Sequence, residues 1–95
     1  MRSPFILTVS LAILICFEPA AVAQTYQEGL DLPGAELRRI TVAGARLCQA
    51  ACLDDDECRA WTFLVDVDDA PNCLLKDAIP QGRLDPCCTS GVVDN

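Results

Sequence analysis

Four cysteines constrain this chain more than any other feature. Cys48 and Cys52 stand four residues apart, Cys58 follows a run of acids, and Cys73 opens a later apolar segment. A spacing of four places Cys48 and Cys52 on one face of a helix. Ala43, Ala45, Arg46, Leu47, Gln49, Ala50 and Ala51 around them are good helix formers. With Thr41 as a candidate N-cap, the pattern predicts a helix over 43–53. Asp54, Asp55, Asp56 and Glu57 end the apolar pattern as a polar turn. Residues 60–65 then alternate, with Trp61, Phe63 and Val65 on one side and Ala60, Thr62 and Leu64 on the other, as a strand does. An acidic connection over 66–72 carries Pro71 and suits a hairpin, so 73–76 returns antiparallel. The expected unit is a helix stapled twice, once to its own exit turn and once to the sheet beneath it.

The flanks read less sharply. Arg2, the apolar run over 5–17 and the small-x-small Ala21-Val22-Ala23 have the form of a secretory signal peptide, expected to span 1–23 and to leave Gln24 first. The apolar run is too short for a bilayer, which needs roughly 20 residues, and bulky Ile15 before Cys16 argues against lipidation. Residues 24–30 read as a polar, flexible lead-in to a domain over 31–93. Leu32-Pro33-Gly34 marks a turn and 36–40 a first strand. Residues 77–86, with Pro80, Gly82 and Pro86, read as loop. Residues 87–93 read as a last short strand or an extended tail.

Removing the signal takes Cys16 from the seven cysteines and leaves six. A short exported chain with an even cysteine count implies disulfides, because a core this small needs staples. Zinc is disfavoured, for the chain has no Cys-x-x-Cys pair and no His. The adjacent Cys87 and Cys88 admit three arrangements: a vicinal disulfide, exchange with the core bridges, or free thiols open to an intermolecular link.

Charge and composition narrow the function. The formal net charge is −7 and the basic residues are few and scattered, so nucleic acid and anionic membrane surfaces are disfavoured. Without His there is no His-based triad or dyad, and Thr89 and Ser90 have no evident base. Neither acidic cluster has the alternating ligands and sixth-position Gly of an EF-hand loop, so both read as solvated turns. The chain is expected to be no enzyme and to need no cofactor or metal. A mid-strand position favours Trp61 as core rather than as a sugar-stacking platform. A candidate ligand surface would draw on Trp61 with Arg59 and Lys76 at the sheet rim and Asp66, Asp68 and Asp69 in the acidic loop.

Cys48, Cys52 and Cys58, then Ala60-Trp61-Thr62-Phe63 and Cys73-Leu74-Leu75-Lys76, resemble the PAN/apple domain. Leu32-Pro33-Gly34 and the Cys87-Cys88 segment look like the short bacterial branch of that family. The resemblance implies an α+β fold, a small disulfide-stapled antiparallel sheet of about five strands crossed by one helix. It also implies the pairs Cys48–Cys73 and Cys52–Cys58. The chain departs from the animal apple domain, which joins its termini by a further bridge: no cysteine beyond the signal precedes Cys48, so Cys87 and Cys88 lack a family partner. The functional expectation is a secreted or periplasmic, non-catalytic module binding protein or carbohydrate. The alternative is a small secreted inhibitor of a protease or other hydrolase, presenting the 66–72 loop.

Overall fold

A computed structural model describes residues 26–67 and 70–93; the expected signal peptide and its cleavage point lie outside these. Five strands and one helix follow in the order β1 (Tyr26–Asp31), β2 (Glu36–Ile40), α1 (Ala45–Leu53), β3 (Ala60–Leu64), β4 (Cys73–Lys76) and β5 (Arg83–Val92). The strands form one sheet in the order β1-β5-β3-β4-β2, and every pairing is antiparallel. The helix packs on one face, against β3, β4 and β5. This is the α+β architecture expected.

The helix is stapled twice, through the pairs that the resemblance implies. Cys48 bonds to Cys73 on β4, and Cys52 bonds to Cys58 beyond the exit turn. All four cysteines are fully buried, with Trp61, Leu75 and Val93 around them. Leu47 and Leu53 are 52 % and 57 % exposed. The inner face of α1 is therefore made of Cys48 and Cys52, flanked by half-buried Ala45 and Ala51. Cystines take the place that leucines fill in a larger core.

Trp61 lies fully buried beneath the helix. It fits because its neighbour in the β5 register is Gly91, where a Cβ would come within 2.8 Å of the indole. Tyr26 closes the other side edge-on, with ring centroids 5.5 Å apart. The indole Nε1 is buried with no hydrogen-bond partner among the described residues.

Three expectations are corrected. The polar stretch read as a flexible lead-in over 24–30 is largely β1, whose edge position supplies pairing to β5 that its own composition does not advertise. The helix starts at Ala45 after Gly44, with no side-chain cap. Its entry is set instead by Asn72, whose side chain accepts from Val42 N and donates to Val42 O, both at 2.8 Å. The expected loop over 77–86 gives way to strand at Arg83. Pro86 is tolerated there because it sits in a bulge: Glu28 faces Thr89 and Leu30 faces Leu84, so 85–88 oppose Gly29 alone. Gly29 takes φ 77° at that point.

The link between β1 and β2, residues 32–35, runs from one edge of the sheet to the other. It covers the face opposite the helix, burying Leu32 and receiving the Lys76 ammonium on Gly34 O at 3.1 Å. On that face Thr62 and Ser90 share a hydrogen bond of 2.8 Å, and Ser90 Oγ donates to Leu30 O at 2.7 Å.

Candidate functional site

The candidate ligand surface read from the sequence separates in three dimensions. Trp61 is core, and its place in that set is withdrawn. Lys76 is withdrawn as well: only 2 % exposed, it is spent on Gly34 O beneath the crossover. Burial pushes its ammonium below the usual lysine value, with Asp31 and Glu36 pulling the other way and Arg39 adding to the depression. Arg59 and Asp66 are exposed but flank opposite ends of β3. Asp68 and Asp69 lie outside the described residues.

A different set of residues converges. The exit turn of α1, the edge strand β2 and its neighbour β4 border an open groove of about 660 Å³. Ile40, Ala51 and Leu75 supply its apolar lining, and Asp54, Asp55, Asp56 and Glu57 its acidic side. Asp55 shapes the turn. Its backbone N–H donates to Cys52 O, its backbone O accepts from Cys58 N–H, and its Oδ1 accepts from Glu57 N–H at 3.0 Å. Arg38 of β2 reaches across to Asp55 at 3.2 Å and to Glu57 at 4.0 Å. Four carboxylates and one guanidinium thus line the groove, and Asp55 and Glu57 are the two that reach Arg38.

The acidic turn is legible in the sequence, but its partners Arg38, Ile40 and Leu75 are not. No local signal marks them. They meet the turn because β2 pairs with β4, placing Arg38 beside Leu75 and Ile40 beside Cys73, and because Cys48–Cys73 brings the helix over that edge.

A second convergence lies at the β1–β5 bulge. Cys87 and Cys88 are bonded to each other, the first arrangement considered for them. In a regular strand neighbours point to opposite faces; here the bulge breaks the alternation. Asp85 Oδ1 accepts from Cys87 N–H at 2.9 Å, and Cys87 O accepts from Val65 N–H at 2.9 Å. The Asp31 carboxylate lies within 4.8 Å of both sulfurs and is approached by Arg83 at 3.5 Å.

With the helix-crossed sheet and the two bridges in place, comparison with known proteins decides the family. Residues 30–76 match the family described as PAN domain. The chain carries a PAN domain. The matched span holds the crossover, α1 and both helix staples, and β1 and β5 complete the sheet around it. An uncharacterized protein of Acanthamoeba polyphaga mimivirus is 42 % identical over 41 residues, 40 % of this chain. That stretch is 12 % of the viral protein's length, so the similarity is to a segment of a much larger chain.

Proposed function

We propose that this PAN domain acts outside the cytoplasm as a non-catalytic module that binds a cationic protein segment in the groove between α1 and the β2–β4 edge. The observation that carries the reading is the pairing of an apolar lining, Ile40, Ala51 and Leu75, with four carboxylates and a single arginine. Such a surface complements a Lys- or Arg-bearing segment that also offers an apolar residue. Protein is favoured over carbohydrate because sugar recognition draws on exposed aromatic faces, and Tyr26, Trp61 and Phe63 are buried or half-buried. Export is supported by the cystine framework and by the form of residues 1–23. Among the described residues, no helix is long and apolar enough to cross a membrane.

The test is binding of basic, acidic and neutral peptides and of a glycan array to the protein and to D54N/D56N/E57Q. Rim charges contribute a few tenths to 1 kcal/mol each. Together they give about 1.4 kcal/mol, so the triple variant is expected to bind basic peptides about tenfold more weakly. Added salt should weaken the unaltered protein in the same direction. Glycan binding that survives the triple change would refute the reading. Inhibition of a hydrolase abolished by replacing 66–72 with Gly-Ser would favour the inhibitor alternative instead.

A further inference from the structure

The Cys87–Cys88 bond does little for stability. A disulfide stabilises chiefly by closing a loop in the unfolded chain, and a bond between neighbours closes none. Yet the fold commits a good deal to it: a four-residue bulge, Gly29 at positive φ, and the Asp85 side chain on Cys87 N–H. It also places a third ligand there. One Asp31 carboxylate oxygen and the two sulfurs all lie within 4.8 Å of one another, although Asp31 is more than fifty residues away in sequence. Two thiolates and a carboxylate form a donor set for a thiophilic d10 cation such as Zn²⁺ or Cd²⁺, with water for the fourth position.

Access separates this bond from the other two. Cys48, Cys52, Cys58 and Cys73 are fully buried. Cys87 is half-buried in the β1–β5 bulge, and the nearby Asp31 is approached by the exposed Arg83. Thiol–disulfide exchange requires a thiolate to reach a sulfur. A soluble dithiol therefore meets Cys87 before any sulfur of the helix staples.

We propose that Asp31, Cys87 and Cys88 form a redox-gated site for a thiophilic divalent cation, closed while the vicinal disulfide stands and opened by a dithiol reductant. The step balances. The dithiol transfers two electrons and two protons to Cys87–Cys88, giving two thiols, and leaves as its own cyclic disulfide. The cation then displaces both thiol protons, forms two metal–sulfur bonds and takes one oxygen of Asp31. Arg83 lets go of Asp31 as the cation neutralises it. Lys76, whose ammonium acts on Asp31 through space, stays on Gly34 O.

The experiment limits the dithiol so that thiol counting and non-reducing peptide mapping identify which bridge opens, then titrates Cd²⁺. Sulfur-to-cadmium charge-transfer absorption reports thiolate ligation, and calorimetry in two buffers reports protons released. The expected result is free thiols at Cys87 and Cys88 with both helix staples intact, one Cd²⁺ bound per reduced chain, about two protons released per metal, and no binding to the oxidised chain. D31N should keep the thiol count and the far-ultraviolet spectrum. It should bind roughly 10-fold more weakly or worse, since losing even an outer partner of a ligand costs that much. Native mass spectrometry of the unaltered protein, oxidised against reduced, gives the same comparison without a variant. Prior opening of a helix staple, equal binding by the oxidised form, or D31N binding as tightly as the unaltered protein would each overturn the proposal.

Discussion

Replacing Cys48 and Cys73 together by Ser should lower the melting temperature more than replacing Cys52 and Cys58. The two bridges span sequence separations of 25 and 6. In the chain-entropy account the closed loops are worth roughly 3.5 and 2.4 kcal/mol, a difference of about 1 kcal/mol. For a domain of this size that is about 4–8 °C in Tm. Burial terms largely cancel, because all four sulfurs are fully buried and a serine at either end of α1 meets a carbonyl. Cys48 Sγ lies 3.7 Å from Thr62 O, and Cys52 Sγ lies 3.6 Å from Ala60 O. Packing adds to the entropic difference. With Leu47 and Leu53 facing outward, α1 has no large apolar anchor, and Cys48–Cys73 is the covalent link from its first turns to the sheet. Thermal melts followed by far-ultraviolet circular dichroism, in one non-reducing buffer, make the comparison. Equal melting points, or a larger loss from C52S/C58S, would refute the view that this staple holds the helix to the sheet.

Gly91→Ala should destabilise by about 1–3 kcal/mol, because the new methyl meets Trp61 Cζ2 at 2.8 Å and Cε2 at 2.9 Å. A denaturant midpoint unchanged by that substitution would mean that the indole has room the structure does not show. Lys76 gives a pH test. Burial depresses its folded-state value below 10.5, so the unfolded chain binds more protons across the window between the two values, and stability rises with pH through that window. Below the window the folded state carries the cost of a desolvated ammonium in full. Urea midpoints of the unaltered protein relative to K76M should therefore improve as pH climbs toward 10.5, and a flat difference would contradict the burial.

The helix, β3 and β4 were legible because their signals are local or periodic, and the pairing of the two staples followed from the resemblance. A spacing of four fixes a helix face, and alternation fixes which side of β3 carries Trp61. Much of what remained hidden depends on pairing between distant segments. Tyr26, Gln27, Glu28 and Gly29 have no strand pattern, and they are a strand because β5 offers its edge. Thr41 looks like an N-cap, but the helix start is fixed by Asn72, thirty residues on. Lys76 at a strand end reads as surface until the crossover is seen to cover it. Arg38 is one scattered basic residue in the sequence and becomes the cation at the acidic groove only through the β2–β4 register.

The same topology limits where this domain can present a ligand surface. One sheet face is closed by a cystine-lined helix, and the other by the crossover over Leu32, Thr62, Ser90 and Lys76. Both faces are partly covered among the described residues, and the aromatic residue that looked most like a platform is sealed under the first. Two margins gather polar side chains in the open. At one, the exit turn of α1 overhangs β2 and gathers carboxylates around Ile40 and Leu75. At the other, β1 meets β5 and the bulge sets Asp31 beside the vicinal cysteines. The groove depends on the Cys52–Cys58 staple, which fixes the acidic turn, whereas the bulge depends on neither staple. The two margins should therefore respond independently: mild reduction that opens Cys87–Cys88 leaves the acidic turn intact, and charge changes in the turn leave the cysteine site unaltered.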